Sequence, residues 1–406
     1  MVSRKIALGT LNINDRGKSF VNDILNTNRL SYGKYTRTFE KKFAELHGCN
    51  NGIFCNSGTS ALQIALAALA EVHNYAPGDE VLVPATTFIA TSNIVLQNGL
   101  KPVFIDVEPD TFNIDWRDIY KHVTARTRCI IPVHLFGLPA DMEKIMSLAK
   151  DFNLQVIEDS CETMFASQNG KRIGVFGDLA CFSTYVAHLI VGGVGGLILT
   201  KNNKLAEICR SLMNHGRDSI YTNIDQDDAS DDQLHRQIIE RRYRYDRVGY
   251  SYRCTEFEAA IALSELDYWR DNIIKRRINA WILSKLLADV EELQLPYIPK
   301  DRTHAFMMYP MVLKEGNRDE LLMYLEKRGI ETRYLFPLLE QPIYKKLFPG
   351  EAEKYPVAQH LAKQGFFIGM HQGLTREDIE YVSKTIHDYF KEQKSIKLAF
   401  PEGAEL

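Results

Sequence analysis

Short apolar runs alternate with amphipathic segments along the first half of the chain. Apolar runs of strand length occupy residues 80–84, 102–107 and 129–133, and a further run ends at Val156 and Ile157. Residues with helical spacing of apolar positions lie between these runs. Because strands that alternate with helices form parallel sheets with right-handed crossovers, the pattern predicts an α/β fold with a mostly parallel sheet.

Two amphipathic patterns precede these strands, within residues 14–47. Ile24 lies in the first predicted helix, and Phe39 and Phe43 lie in the second. The loop at residues 30–36 joins the two helices. This loop is either a simple connector or a loop that lies over a substrate, and the pattern itself favours neither.

The sheet pattern fades after about residue 200. Residues 256–292 predict one long helical stretch that leads into a second domain. The further elements predicted for that domain are two strands and a final helix, at residues 307–312, 329–334 and 376–390. We therefore expect a large domain over residues 1–255, a smaller C-terminal α+β domain over residues 256–395 and a frayed tail over residues 396–406.

Composition limits the class of protein. The 406 residues are 45% hydrophobic and carry a net charge of −3 at pH 7, so the chain can bury a large core and has no overall charge that favours nucleic acid or an anionic membrane. No signal peptide and no membrane span is evident in the sequence, so we expect a cytoplasmic protein. The seven cysteines are scattered and never spaced C-x-x-C, which indicates buried reduced thiols and no metal site.

A charged stretch at residues 218–247 is acidic first and basic afterwards. The acidic residues are Asp225, Asp227, Asp228, Asp231 and Asp232, and the arginines are Arg236, Arg241, Arg242, Arg244 and Arg247. The acidic half indicates a solvated excursion. The basic half is a candidate phosphate site, because a guanidinium group suits phosphate geometry.

The densest candidate chemistry lies in residues 156–200. Glu158 and Asp159 follow an apolar run at the expected carboxyl end of a strand, where open α/β sheets bind ligands. A carboxylate at that position requires a cationic partner. Ser183 follows, and then a glycine-rich turn leads into an apolar strand at residues 197–199, so that the backbone can approach a ligand closely.

A second polar turn lies at residues 56–60, between an apolar run and a helical pattern. A strand, a small polar turn and a helix together point free backbone N–H groups at an anion. The alternative is that Ser57 or Thr59 only caps the helix.

These motifs resemble those of the DegT/DnrJ/EryC1/StrS sugar aminotransferase family, and the resemblance covers nearly the whole chain. It rests on the E-D-S-C-E-T segment at residues 158–163, similar to the family's E-D-x-A-Q-A, on the N-H-G-R turn at 214–217, and on G-Y-S-Y-R at 249–253, similar to the family's G-Y-N-Y-R. The resemblance implies the fold of the fold-type I pyridoxal-phosphate enzymes, with pyridoxal 5′-phosphate or pyridoxamine 5′-phosphate as the cofactor.

The resemblance also implies roles for individual residues. The implied cofactor contacts are Gly58, Thr59 and Ser183 at the phosphate, Phe88 on the pyridine ring, Asp159 at the pyridine nitrogen and Glu162 beside O3′. Ser251 stands where the family has an asparagine that reaches the cofactor phosphate of the neighbouring subunit, which implies a homodimer. Tyr32, His215 and Arg333 are the implied contacts of a nucleotide-linked sugar, and glutamate is the implied amine donor.

Two departures from the family pattern bear on the reaction. The family has a lysine five residues after its serine, which forms the Schiff base with the cofactor. Here that position is His188, and no lysine lies between Lys171 and Lys201. An imidazole can take and return a proton near neutral pH but cannot hold the cofactor covalently. Glu162 stands at the position of a glutamine, and an ionised glutamate cannot donate a hydrogen bond to O3′.

Both departures resemble a small branch of the family that dehydrates nucleotide-linked 4-keto-6-deoxy sugars at C3. The resemblance implies that pyridoxamine phosphate condenses with the keto group, that His188 removes a proton and that the 3-hydroxyl leaves. Leu189 stands where this branch usually has a second histidine, and the N-H-G-R turn is more similar to the aminotransferases. Three hypotheses stay open: a sugar 3-dehydratase, an aminotransferase without the usual lysine, and a non-catalytic cofactor- or sugar-binding protein in which His188 is a buried structural residue.

Overall fold

The structure is a computed structural model that describes residues 5–218, 232–241 and 243–399. The acidic residues from Asp225 to Asp231, together with Arg242 and residues 400–406 of the predicted tail, lie outside the described residues.

In chain order, the helices are α1 (Asp15–Thr27), α2 (Lys34–His47), α3 (Gly58–His73), α4 (Ile89–Gln97), α5 (Trp116–Ile119), α6 (Met142–Asp151), α7 (Asn203–Met213), α8 (Asp232–Arg241), α9 (Glu256–Glu265), α10 (Trp269–Leu286), α11 (Arg318–Glu326), α12 (Pro342–Leu347), α13 (Pro356–Gln364) and α14 (Arg376–Ala399). The strands are β1 (Asn51–Cys55), β2 (Glu80–Pro84), β3 (Lys101–Ile105), β4 (Thr127–Ile130), β5 (Gln155–Asp159), β6 (Ser167–Gln168), β7 (Lys171–Arg172), β8 (Leu179–Ser183), β9 (Gly196–Thr200), β10 (Leu293–Gln294), β11 (Met308–Leu313), β12 (Thr332–Tyr334) and β13 (Gly365–Gly369).

A seven-stranded sheet in the order β1-β9-β8-β5-β4-β2-β3 forms the centre of the molecule. Strand β9 runs antiparallel to β1 and β8, whereas the neighbouring pairs from β8 to β3 are parallel. Both faces are covered, because Val81 and Val83 belong to one hydrophobic core and Leu82 to another, as expected for alternating residues of a doubly covered strand. The predicted mostly parallel α/β sheet is confirmed.

A smaller antiparallel sheet in the order β10-β11-β13-β12 lies in the C-terminal part of the chain. Its core contains Tyr309, Phe366 and Leu283 of α10. Ile6 is also buried in this core and pairs in parallel with Ile330. The amino-terminal segment therefore packs on the smaller sheet. The domain boundaries given above remain a prediction.

The long helical stretch predicted for residues 256–292 is confirmed over residues 256–286, but it is not one continuous α-helix. The chain leaves the α-helical path at Leu266–Tyr268, and α10 ends at Leu286. Tertiary contacts fix this break, because Asp267 forms an ion pair with Arg16 of α1 and Trp269 stacks on Phe165 with ring centroids 4.3 Å apart.

The last helix is longer than predicted. It was expected to end at residue 390, yet α14 continues to Ala399, so the first residues of the expected frayed tail are helical. The sequence has no helix breaker before Pro401, where the missing backbone N–H and the ring oppose a helix. In the described part of the chain, no helix combines the length and the apolar character needed to span a bilayer.

Candidate active site

Asp159 is a buried carboxylate at the carboxyl end of β5, in the middle of the large sheet. The hydroxyl of Thr91 donates to its Oδ2 at 2.8 Å, and the backbone N–H of Cys161 donates to its Oδ1 at 3.2 Å. Burial raises the pKa of Asp159, against the lowering effect of these hydrogen bonds. No lysine or arginine among the described residues forms an ion pair with Asp159. The protein therefore supplies no positive partner for the buried carboxylate of Asp159, which suits a cationic atom of a ligand.

The amino terminus of α3 faces this carboxylate edge. Ser57 caps the helix by accepting a hydrogen bond from the backbone N–H of Ser60 at 3.0 Å, so the capping alternative holds for Ser57. Gly58 is packed so closely that an added Cβ would lie 2.7 Å from Cys161 Sγ and 3.0 Å from Ser183 Cβ. The packing therefore requires glycine at this position, and the free N–H groups of the first turn remain available for an anion.

Ser183 ends β8 next to Gly58 and is buried. Its hydroxyl oxygen accepts a hydrogen bond from the backbone N–H of Tyr185 at 3.3 Å. The glycine-rich turn that follows returns to the same place, since Gly195 forms a parallel bridge with Ser57. Gly58, Asp159 and Ser183 thus lie together at one edge of the sheet, since Cys161 contacts both Gly58 and Asp159, and Ser183 packs on Gly58.

Glu162 is buried beneath this group. Its Oε2 accepts a hydrogen bond from the backbone N–H of Phe136 at 2.9 Å. Burial, reinforced by the negative charge of Asp159, raises the pKa of Glu162 to about 8. At pH 7 the side chain is therefore mostly protonated, and it can donate a hydrogen bond as a glutamine does.

His188 lies in the segment between β8 and the glycine-rich turn. Its backbone N–H donates to the carbonyl of Tyr185 at 2.9 Å, and its ring meets the ring of Tyr185 edge-on at 5.9 Å. Nδ1 is buried without a hydrogen-bond partner among the described residues. Burial lowers the pKa of His188 to about 4, with a further contribution from the nearby charge of Arg276. The imidazole is therefore neutral at pH 7 and able to accept a proton.

Phe88 directly precedes α4 and is 54% exposed, unlike most phenylalanines of this chain. Its ring meets that of Phe336 at 5.9 Å in an edge-on arrangement. Phe336 comes from the C-terminal part of the chain and also stacks on Phe136, whose backbone holds Glu162. An aromatic face that is left open in this way suits stacking on a flat ring.

The expected substrate contacts lie apart from this group. The hydroxyl of Tyr32 accepts a hydrogen bond from Arg210 at 2.8 Å and donates to Glu40 at 3.2 Å, so it is engaged within the fold. Arg333 is exposed on β12, and its Nη2 lies 2.6 Å from Oε1 of Glu331. No described contact joins Tyr32 or Arg333 to Asp159.

His215 and Ser251 form one exposed cluster with Arg253. Nη2 of Arg253 lies 3.2 Å from Nε2 of His215 and 3.3 Å from Oγ of Ser251. The N-H-G-R and G-Y-S-Y-R segments pair through Asn214 and Ser251, so the structure brings two distant motifs together on the surface.

Three arginines of the basic half pair with carboxylates. Arg241 and Arg244 lie 3.5 and 3.4 Å from Asp218, and Arg247 lies 2.8 Å from Glu71. Their charge is thereby balanced within the chain. The structure gives no separate support for the phosphate site that the sequence suggested here.

Two residues of the site were not predicted from the sequence. Thr91 donates to Asp159 and is hydrogen-bonded to Thr87 at 2.9 Å, and nothing in the local sequence indicates this link. Arg276 reaches the carbonyl of His188 at 3.4 Å. Arg276 could have been found, because it occupies a core position in the helical pattern that includes Ile273.

These features fit a phosphorylated pyridine and define a class of protein. A buried carboxylate without a cationic partner suits a protonated ring nitrogen, and the glycine-containing turn at the start of α3 suits a phosphate. On the carboxyl edge of a mostly parallel seven-stranded sheet, this is the fold of the fold-type I pyridoxal-phosphate enzymes.

Comparison with known proteins gives the family. The model of the DegT/DnrJ/EryC1/StrS aminotransferase family matches residues 12–387. GDP-perosamine synthase of Caulobacter vibrioides is 34% identical over 384 residues, which are 93% of this chain and 96% of the relative. The dTDP-4-dehydro-2,6-dideoxy-D-glucose 3-dehydratase of Saccharopolyspora spinosa is 32% identical over 375 residues, 89% of this chain and 81% of the relative.

Among solved structures, the Escherichia coli GDP-4-keto-6-deoxy-D-mannose-3-dehydratase with bound hydrated PLP superposes with a TM-score of 0.84 at 26% identity, over 94% of this chain and 100% of that one. The chain belongs to the DegT/DnrJ/EryC1/StrS aminotransferase family, and it is an enzyme.

Proposed function

We propose that this enzyme uses pyridoxal 5′-phosphate and pyridoxamine 5′-phosphate to remove the 3-hydroxyl group of a nucleotide-linked 4-keto-6-deoxy sugar, with His188 as the acid/base group. One observation carries the proposal: the position five residues after Ser183 holds a neutral imidazole, and no lysine lies between Lys171 and Lys201. The mostly protonated Glu162 supports it, because a neutral carboxyl group restores the hydrogen-bond donor that glutamine would provide.

The chain's own residues have defined tasks in this proposal. When bound, the pyridoxamine form of the cofactor supplies an amine for the sugar ketone and a ring that withdraws electrons. Asp159 holds a proton on the ring nitrogen, because a buried carboxylate stabilises a neighbouring cation. Backbone N–H groups of Gly58 and Thr59 bind the phosphate with the hydroxyl of Ser183, and Phe88 covers the ring.

His188 moves the proton. With its pKa at about 4, the imidazole is unprotonated at pH 7 and would take the proton from C4′ of the bound pyridoxamine form as a general base. It then gives this proton to the departing hydroxyl, so that the C3–O bond breaks and water leaves. Because the loop around His188 is held by the buried residues Leu189, Ile190 and Val191, the imidazole has a fixed place from which to do both.

The proposal extends to partners. A nucleotide-linked sugar is the substrate and glutamate is the amine donor that regenerates the pyridoxamine form. The exposed cluster of His215, Ser251 and Arg253 supports a homodimer, in which this cluster completes the partner's site. For Tyr32 and Arg333, substrate contact remains a prediction from the resemblance.

Aminotransfer is the second candidate function. The 34% identity to a GDP-perosamine synthase and the N-H-G-R turn favour it. In that case the sugar would leave with an amine at the keto carbon, and another group would have to take the part of the missing lysine.

Product analysis separates these functions. The protein is incubated with pyridoxal phosphate, glutamate and a panel of GDP-, dTDP- and UDP-linked 4-keto-6-deoxy sugars, and the products are identified by mass spectrometry. A 3-deoxy keto sugar with release of ammonia supports dehydration. An amino sugar as the product would instead support aminotransfer. Cofactor binding without turnover of any sugar would contradict both candidate functions.

A further inference from the structure

Arg276 is a fully buried arginine in α10. It lies on the same helix face as Ile273, Ala280 and Leu283, which are all buried apolar residues. No carboxylate among the described residues forms an ion pair with it. A buried charge without a counter-charge is costly, and an apolar residue at this position would pack without that cost. The presence of an arginine at this position is therefore not explained by its contribution to the stability of the fold.

The guanidinium group uses its donors on three parts of the chain. Nη1 donates to the carbonyls of Phe306 and Met307, at 3.2 and 3.0 Å, beside the start of β11. It also lies 3.4 Å from the carbonyl of Met370, and Nε donates to the side chain of Gln372 at 3.1 Å, both just after β13. One planar group thus joins the ends of two strands of the smaller sheet.

The remaining donor points to the loop between β8 and β9, residues 184–195, which contains His188 and is called the active-site loop below. Nη2 donates to the carbonyl of His188 at 3.4 Å, so the backbone of the proposed acid/base residue is tied to the same group. Burial lowers the pKa of Arg276 to about 9, which leaves it protonated at pH 7. Its positive charge adds to burial in lowering the pKa of His188 to about 4.

We propose that Arg276 is a positioning residue for His188: its guanidinium fixes the active-site loop through the His188 carbonyl and connects that loop to the smaller sheet. This inference rests on the proposed function of His188 as the acid/base group. The arginine does not touch the reacting atoms. It acts by holding the imidazole in place and by placing a permanent positive charge behind it.

Few ionisable groups surround His188, so a change in its pKa reports on the charge of Arg276. Among the described residues, the ionisable side chains that contact His188 or act on its charge are Tyr185 of its own loop and Arg276 of α10. From the amino-terminal segment, Gly9 packs on Ala187 and brings no ionisable side chain. Burial, together with the positive charge of Arg276, also lowers the pKa of His371 to about 4.

The test compares Arg276→Gln, which removes the charge, with Arg276→Lys, which keeps the charge but not the planar fork. Arg277→Gln is the matched control, because Arg277 follows on the same helix and donates to the carbonyl of His304 at 2.7 Å rather than to His188. Each full-length variant is measured by circular dichroism, by the pH dependence of kcat and KM, and by NMR titration of 15N-labelled histidine, with His188→Asn to assign the His188 signal.

In Arg276→Gln we expect kcat to fall on the order of 10- to 100-fold with little change in KM. The acid limb of the pH profile and the NMR titration of His188 should both move to higher pH, because the imidazole loses its positive neighbour. Arg276→Lys should lose kcat while the acid limb of its pH profile stays in place, and Arg277→Gln should match the wild type.

A folded Arg276→Gln with unchanged kcat and unchanged His188 titration overturns the inference. If that variant does not fold, an unchanged kcat in Arg276→Lys overturns it.

The two levels of the proposal fail differently. If His188→Asn keeps full turnover, the proposed function of His188 is wrong whatever the arginine variants do. If His188→Asn loses turnover while Arg276→Gln behaves as the wild type in both readouts, only the role of Arg276 is wrong.

Discussion

Burial sets the protonation of two side chains, Glu162 and His188. Glu162, with its pKa at about 8, is mostly neutral at pH 7, and His188, with its pKa at about 4, is neutral as well. Desolvation is the main cause in both cases, because the protein interior disfavours the charged form of either group. At pH 7 Glu162 is therefore a hydrogen-bond donor and His188 a proton acceptor, which are the roles that the proposed function gives to them.

Glu162→Gln tests the neutral acid. Glutamine keeps the donor without a titratable group, so at pH 7 we expect kcat within a factor of about three of the wild type. As pH rises through about 8, wild-type Glu162 should lose its proton and its donor, and activity should fall. The glutamine variant should keep its activity there. A pH profile of kcat checks this, and an identical alkaline limb in both proteins would contradict the role given to Glu162.

His188→Lys tests the missing covalent link. In the wild type, borohydride should not fix the cofactor to the protein, and dialysis against phosphate should remove it. The lysine variant should bind pyridoxal phosphate covalently, turn yellow and retain the cofactor mass after borohydride. Dehydration should fall by about 10²- to 10⁴-fold, since the imidazole no longer transfers protons. Borohydride trapping of the cofactor on a lysine of the wild-type protein would instead favour aminotransfer.

At the scale of elements, the active-site loop is held from three sides. Besides Arg276 of α10, Gly192 packs against the backbone of α9 at Glu258, and Gly9 packs against Ala187. The amino-terminal segment that carries Gly9 also pairs with the smaller sheet at Ile330 through Ile6. The position of His188 thus depends on contacts with segments that are distant in sequence.

Gly9→Val tests the contact of the amino-terminal segment. A Cβ at Gly9 would lie 2.9 Å from Cα of Ala187, so the loop must move. We expect kcat to fall about tenfold or more, because a small displacement of the proposed acid/base group is costly, while the melting temperature changes little. Leu11→Ala, at a 41% exposed position of the same segment, is the control and should match the wild type. Wild-type kcat in Gly9→Val would show that the loop tolerates the shift.

At the scale of the molecule, three hydrophobic cores of the described residues pack against the two larger sheets, and apolar residues remain exposed beside the His215 and Ser251 cluster. Val248 is 97% exposed in the segment that leads to Ser251. Tyr243 and Tyr245 of the same segment are 80% and 45% exposed, and exposed apolar surface rimmed by polar residues is typical of protein–protein interfaces. The proposed homodimer would cover it.

Val248→Asp tests the dimer. A buried unpaired charge should weaken association, so sedimentation should show a shift to monomer, and activity at low protein concentration should fall with it. Ile343→Asp, at a 48% exposed position of α12, is the control and should leave the dimer intact. A fully active wild-type monomer would contradict both the dimer and the roles of His215 and Ser251.

The sequence alone determined the local features of this protein. Alternating apolar runs predicted the mostly parallel sheet, and the placement of Asp159 at the end of a strand followed from the same pattern. The spacing of His188 from Ser183 and the polar turn before α3 could also be read from the sequence, since such signals depend on neighbouring residues and on fixed spacing. These features can be predicted without knowing which distant residues they contact in the fold.

The tertiary structure alone decided what depends on distant contacts. The break between α9 and α10 follows from Asp267 and Trp269 meeting partners far away in the sequence. The neutral state of Glu162 follows from its burial, and the link from Arg276 to His188 joins residues 88 positions apart. Desolvation and long-range hydrogen bonds arise only when separate segments pack together, and no local pattern encodes them.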